Sequence, residues 1–306
     1  MSLVQPITPH LWFDTQAREA ATFYASLFPD SGIDALIALH NTPSGDCEVV
    51  EFHLGGQPFM AISAGPHFRF NPSISFLVHF DTARETDALG RQKRTWEALL
   101  DGGQALMPLG EYPFSPSFGW VQDRFGLSWQ LMLGEFPEKP VGAIVPALMF
   151  TGAVSGQAEE AGAFYRSLFE ASQAGQLQRF GEGMPPHVPG SVMYSDFSLG
   201  GKWFAAMDGG SMHDFGFNEA VSFMLVCPDQ SAVDQYWSQL SAVPAAEQCG
   251  WCKDRFGVSW QVAPARLGEI MRSGDQAAID RVTQAFLPMH KLDLVAIDAA
   301  ARTPEA

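Results

Sequence analysis

Gly119-Trp120-Val121-Gln122-Asp123-Arg124-Phe125-Gly126-Leu127-Ser128-Trp129-Gln130 decides the fold, because it is written again as Gly250-Trp251-Cys252-Lys253-Asp254-Arg255-Phe256-Gly257-Val258-Ser259-Trp260-Gln261. Nine of the twelve positions are identical. Moving outward, Phe23-Tyr24-Ala25-Ser26-Leu27-Phe28 returns as Phe164-Tyr165-Arg166-Ser167-Leu168-Phe169, and Leu54-Gly55-Gly56 as Leu199-Gly200-Gly201. Phe68-Arg69-Phe70-Asn71 through Ser75-Phe76 returns as Phe215-Gly216-Phe217-Asn218 through Ser222-Phe223. The blocks keep their order while their offsets drift between 131 and 147, which marks a tandem duplication with loop insertions and deletions. That period is far above the roughly 20 to 50 residues of solenoid repeats, so each copy is expected to be a domain. Residues 1–138 form the first, residues 141–275 the second and residues 276–306 a C-terminal extension, with Pro137 to Pro140 as the linker.

Within one copy the hydrophobic pattern reads strand, helix, strands, and then the same again. Ile7 to Phe13 is an apolar, aromatic run suited to a strand, and Ala17 to Phe28 has helical spacing through Ala20, Phe23, Tyr24 and Leu27. Glu48 to Leu54 and Pro58 to Ile62 flank Gly55-Gly56, which can take positive φ in a two-residue hairpin. Ile74 to Phe80 is the next strand and Ala83 to Leu100 the next helix, ended by Gly102-Gly103. Trp120 to Gln122 and Leu127 to Leu133 bracket Asp123-Arg124-Phe125-Gly126, which has tight-turn chemistry. Each half of a copy is therefore βαβββ, two halves make one domain, and the class is α+β.

The chain carries 18 Lys and Arg against 34 Asp and Glu, a net charge of −16 that repels phosphate backbones and anionic lipid. Neither nucleic acid nor a membrane is an expected partner. No apolar run approaches the roughly 20 residues of a bilayer-spanning helix. Met1-Ser2-Leu3-Val4-Gln5-Pro6 lacks the basic start and apolar stretch of a secretion signal. Cys47, Cys227, Cys249 and Cys252 are too few for a disulfide scaffold, which fits a reducing compartment and a cytoplasmic location.

These residues resemble the vicinal oxygen chelate superfamily of glyoxalase and bleomycin-resistance proteins. Within it they are similar to the PhnB-like branch labelled "3-demethylubiquinone-9 3-methyltransferase domain". The likeness rests on Ile7-Thr8-Pro9-His10-Leu11-Trp12-Phe13, Phe23-Tyr24, Leu54-Gly55-Gly56-Gln57-Pro58-Phe59, Gly65-Pro66-His67-Phe68-Arg69-Phe70-Asn71, the duplicated twelve-residue block and the tail Ala285 to Leu294. It spans nearly the whole chain. It implies two tandem glyoxalase-like domains, each of paired βαβββ modules curling a mixed sheet into an eight-stranded cup around a small-molecule pocket, with helices outside.

The resemblance also implies where a divalent metal would sit: on the first strand of each module and on a Glu of the final strand, seven residues after the turn Asp. Here those positions hold Gln130 and Gln261. A neutral amide can coordinate a metal but adds no charge to offset the cation's lost hydration. The fifth-strand position holds Ser75 and Ser222, again neutral. His10 lies near the first-strand position, with Ala147 as its counterpart, and a shift of one residue would turn it to the opposite face. His79 shares a face with Ser75, and its counterpart is Val226. No metal or other cofactor is expected; if one binds, His10 and Gln130 are its ligands. The remaining histidines show no ligand spacing and are read as surface or loop residues.

Cys249-Gly250-Trp251-Cys252 has the form of a redox or zinc motif, but it aligns with the strand residues Phe118 to Val121, where positions three apart face opposite ways. One such pair also supplies only two of the four ligands of a zinc site. Methyl transfer from S-adenosylmethionine finds no support, because no Gly-x-Gly loop follows the first strand. No Gly-x-Ser-x-Gly elbow is present. Asp123, Arg124, Asp254 and Arg255 are best explained by turn formation and a local ion pair.

The inward faces of the fifth and last strands supply Ser75, Leu77 and His79 with Ser128, Gln130 and Met132. Phe70 and Asn71, with Asn218, Ser222 and Gln261 from the second copy, complete a candidate ligand-binding set. The leading expectation is a protein that binds a partly apolar small molecule without the usual metal-carboxylate site. The alternative is an enzyme of the same superfamily, a lyase, isomerase, dioxygenase or methyltransferase, with catalytic candidates His10, His79 and Gln130 in the first domain. A third reading is duplication for structure alone, fusing what relatives build as a dimer. A homodimer of the tandem chain stays open.

Overall fold

The computed structural model describes residues 3–210 and 213–302. The first module holds β1 (Thr8–Phe13), α1 (Ala17–Leu27), β2 (Gly32–Thr42), β3 (Gly45–Leu54) and β4 (Gln57–Ser63). The second holds β5 (Ile74–Asp81), α2 (Ala88–Leu100), β6 (Gln104–Tyr112), β7 (Ser115–Gln122) and β8 (Ser128–Gly134). The second copy repeats this with β9 (Ile144–Thr151), α3 (Ala158–Leu168), β10 (Gln173–Arg179), β11 (Val192–Leu199) and β12 (Lys202–Gly210), then β13 (Val221–Cys227), α4 (Gln230–Leu240), β14 (Trp251–Lys253) and β15 (Ser259–Pro264). The C-terminal extension begins at Ala265, inside the span expected for the second domain, and is helical: α5 (Ala265–Met271), α6 (Gln276–Phe286) and α7 (Leu294–Arg302). No helix among the described residues is long and apolar enough to cross a membrane.

Local chemistry explains these elements. Helix α1 buries Ala17, Ala20, Ala21 and Tyr24, one stripe at helical spacing, and Ser63 Oγ accepts its first free N–H, from Ala17, at 3.1 Å. Gly55 and Gly56 turn β3 into β4 with φ of 56° and 69°, a conformation that a side chain would strain. Helix α2 begins at Ala88, five residues later than the apolar pattern suggests, because Asp81 spends its carboxylate on Ala83 N–H and Arg84 to build a turn there.

Two sheets result, in the orders β14-β15-β13-β1-β4-β3-β2 and β10-β11-β12-β9-β5-β8-β7-β6. Each joins one module from each copy, where consecutive pairing was expected. β1 runs antiparallel to β13 with His10 opposite Ser222, and β5 antiparallel to β9 with Ser75 opposite Ala147. β1 and β5 are the open edges of their modules, and each exposed row of N–H and C=O groups is covered by the other copy. The two modules of one copy share a core instead of a sheet. Phe59 of β4 lies 5.4 Å from Phe76 of β5, and Tyr24 of α1 lies 5.1 Å from Trp129 of β8. Phe204, Phe223, Tyr165 and Trp260 repeat this in the second copy. The helices lie on this shared side, so each sheet turns its cup-facing side chains away from the common core.

The seven-stranded sheet has no equivalent of β6. Between helix end and repeated glycine there are 18 residues in the first copy, 101–118, and nine in the second, 241–249. The C-terminal extension takes the vacated place. Met289 and His290 carbonyls accept from Cys249 and Gly250 N–H at 2.6 and 2.8 Å beside β14. At the other sheet edge, Gln276 and Gln284 donate to the β2 carbonyls of Ala38, His40 and Asn41.

Candidate functional site

The cups are built from equivalent strands apart from β6, and the seven-stranded one holds a cavity of about 830 Å³. Alternation along β1 sends Leu11 and Phe13 into the core and His10 and Trp12 into the cup, which settles the face of His10. Met60 and Ile62 of β4, Met224 and Val226 of β13, and Gln261 of β15 complete the floor. Trp251 stands edge-on to His10 at 5.5 Å and to Trp12 at 6.0 Å, and Phe68 packs on Trp12 at 5.1 Å. The extension supplies Leu267, Met271, Phe286, Leu287 and Leu292 from the opposite side.

The polar groups of this cavity are few. His10 is 4% exposed, its Nδ1 has no hydrogen-bond partner among the described residues, and burial lowers its pKa to about 3. It is neutral at physiological pH, one ring nitrogen a donor and the other an acceptor. Gln261 Nε2 donates to Ser222 Oγ at 2.9 Å. Two of its acidic groups are paired, Glu51 with Arg272 at 2.9 Å and Glu219 with Lys253 at 2.7 Å, and a third, Glu247, accepts from Ser241 Oγ at 2.6 Å and lies 3.2 Å from His290 Nδ1.

The eight-stranded cup is filled. Leu77, Phe118, Val145, Ala147 and Ala205 form a buried cluster with Trp120, Trp203, Met132 and Met107 packed against it. The linker contributes as well. Phe136 packs edge-on at 4.2 Å from His79, while Lys139 reaches Asp196 at 2.7 Å and lies 4.6 Å from the centre of the Trp203 ring. His79 is 2% exposed, with Nδ1 unpartnered and a pKa lowered to about 3, by burial first and by the charge of Lys139 next.

The expected catalytic grouping is thereby divided. His10 lies in the open cup, whereas His79 and Gln130 lie in the filled one, because their modules share a core and not a sheet. Ser75, Leu77, Ser128, Gln130 and Met132 do face a cup, as alternation implies, but the filled one. There Gln130 Nε2 donates to Ser75 Oγ at 2.8 Å, and Trp120 Nε1 to Ser128 Oγ at 2.6 Å. Ser222 and Gln261 belong to the open cup. Asn71 and Asn218 lie between the copies, where Asn71 Nδ2 donates to Gly216 O and Asn218 Nδ2 to Arg69 O. Phe70 packs on Phe13 at 5.0 Å in the core. His67, read as a loop residue, lines the cavity beside Trp12. Trp12 and Trp251 were missed: alternation ties Trp12 to the face of His10, which the sequence left open, and the repeat ties Trp251 to Trp120. The wall from the extension had no sequence signal.

The repeated Asp-Arg turns are structural. Asp123 accepts from Tyr24 Oη, Trp129 Nε1 and the N–H groups of Phe125 and Leu127. Asp254 repeats this with Tyr165, Trp260, Phe256 and Val258. Burial nonetheless pushes both carboxyls above their ordinary range. Cys252 lies in the core and Cys249 lines the cavity; burial raises the thiols to about 12 and about 11, so neither offers the thiolate that redox chemistry needs.

The sequence profile of the family described as 3-demethylubiquinone-9 3-methyltransferase matches residues 5–132 and again 142–263. The chain belongs to this family. A PhnB protein from Bacillus cereus is 38% identical over 42% of this chain and 99% of its own, with a TM-score of 0.38, so that relative has the length of one copy. Glyoxalase I from Zea mays is 10% identical over 85% of this chain and 94% of its own, with a TM-score of 0.49. A dioxygenase-titled protein from Bacillus subtilis is 13% identical over 86% of each chain, with a TM-score of 0.48. No curated protein matches. The architecture of this family member is α+β, with two tandem copies.

A divalent metal, as the fold family implies, would have to bind in the open cup through His10, Ser222 and Gln261. The donor set does not fit one. It is a single imidazole with a hydroxyl and an amide already bonded to each other, and no group of three His, Cys, Asp or Glu side chains gathers among the described residues. The family's methyltransferase name also meets no cofactor loop: both sheets are mixed, not doubly wound.

Proposed function

We propose that the protein binds a neutral, partly apolar small molecule in the open cup, without a metal. The observation that carries this is the cavity of about 830 Å³ with the uncharged His10 in its floor, against a sister cup that is packed with side chains. A volume of this size is within the range of small-molecule pockets, which are mainly apolar with a few placed polar groups. Arg272 and Lys253 are taken up by Glu51 and Glu219, and Glu247 is engaged by Ser241 and His290, so an anionic ligand would meet no free cation among these groups. His10 can take one hydroxyl or carbonyl, and Trp12 and Trp251 offer faces and edges to a ring.

Native mass spectrometry of protein purified without chelator, with elemental analysis, tests the reading. The expected result is a retained organic mass, or uptake of neutral phenols, that is lost in Met60→Trp, which fills the floor beside His10. A stoichiometric metal that disappears in His10→Ala would overturn the metal-free part. Unchanged uptake in Met60→Trp would overturn the location.

A further inference from the structure

The C-terminal extension spans the open cup from edge to edge. It is hydrogen-bonded to β2 through Gln276 and Gln284 and beside β14 through Met289 and His290. β1, carrying His10, is the middle strand of the seven, so the extension faces the floor across the cavity. In the filled cup the β6–β7 hairpin and the linker occupy the interior, with Met107, Trp120 and Lys139 inside. The open cup lacks that hairpin. Its substitute contributes flexible apolar side chains, Leu267, Met271 and Phe286 among them, and leaves space between itself and His10.

Resting on the binding reading above, we infer that residues 265–292 are the specificity wall of the site, setting how long an apolar tail the ligand carries when its polar end is on His10. The ligand class is then a neutral single-headed amphiphile, with one hydroxyl or carbonyl at the floor and a hydrocarbon portion reaching the helices. Met271 and Phe286 are the residues that meet the tail. Both are half-buried side chains of the extension, and shortening either lengthens the cavity without touching the floor. Methionine and phenylalanine suit such a wall, since both present polarisable apolar surface that adapts to a variable end group.

A homologous series of 4-alkylphenols, titrated calorimetrically into the full chain at pH 7, tests this. Each added methylene should raise affinity about fourfold while the tail gains buried contact, and the rise should stop at the length that meets the wall. Met271→Ala and Phe286→Ala should each move that ceiling to longer homologues and leave short ones within about twofold of the parent. The exposed Val295→Ala should leave the ceiling in place. A ceiling unmoved in both wall variants, with short homologues still binding, overturns the wall and leaves the binding site standing. No binding by any homologue to the parent protein, and no retained mass, overturns the binding reading and this inference with it.

Discussion

The open and filled cups share equivalent strands except β6, the same turn and the same Gln-to-Ser bond, and differ in what stands over them. Across the floor of the filled cup runs the row Ala147, Ser75, Ser128; across the open cup runs His10, Ser222, Ser259. Trp120 donates to Ser128, whereas Ser259 Oγ is buried without a partner and Trp251 leans on His10. An imidazole stands where the sister cup has a methyl, and Trp251 packs edge-on against it. An orphaned hydroxyl of this kind costs about 1–3 kcal/mol. Duplication thus left one cup packed and the other open.

The largest test breaks the filled cup. Lys139→Met strands a buried Asp196 carboxylate and should cost about 3–5 kcal/mol in urea unfolding, while Lys139→Met with Asp196→Leu should recover most of it. If the single variant is neutral, the linker is not a plug.

Acid comes next, and it acts on both cups. Free imidazole in the unfolded chain titrates near 6.5, and His10 and His79 titrate near 3 when folded. Between these values only the unfolded chain takes up their protons. Their contribution is therefore complete above about pH 6.5 and is lost as pH falls toward 3, on the order of several kcal/mol for the pair. His10→Leu with His79→Leu should flatten the fall in urea midpoint between pH 6.5 and 4.5; an unchanged slope would place the loss elsewhere.

A smaller effect converts one cup into the other. His10→Ala should let Trp251 swing onto Ser259 as Trp120 sits on Ser128, weakening phenol binding about tenfold or more with a blue-shifted tryptophan emission. Binding retained at full strength would show that His10 does not hold the cup open.

Smallest is the rim pair. Arg272→Met removes an ion pair whose arginine is nearly half exposed, and should change stability by under about 1 kcal/mol, against the large cost at Lys139. A loss as large as that at Lys139 would mean the extension is clamped by this pair instead of by its apolar face.

Much of this was legible in the residues. The twelve-residue repeat, the Gly-Gly hairpin and the spacing of Ala20, Tyr24 and Leu27 express local conformational preference and periodic burial, which act within a few residues of themselves. The inward positions of Ser75, Gln130 and Gln261 followed from the family resemblance, and alternation extended them to Leu77, Ser128 and Met132. Asn71 and Asn218 were read as site or turn residues; they bridge the two copies because the other copy supplies the carbonyl, a partner 145 or more positions away.

What the sequence determined by itself was the element order of the first three modules, the duplication and the family, since these depend on short-range patterns and on matching residues. Which module completes which sheet was decided only in three dimensions. β5 and β13 are near copies, so β1 meets equivalent edges in either, and their local sequence does not separate the two pairings. Core packing within each copy and edge covering between copies choose the crossed arrangement. That choice sets His10 apart from His79 and Gln130, and the missing nine residues bring the distant helices α5 and α6 over the one cup that stays open.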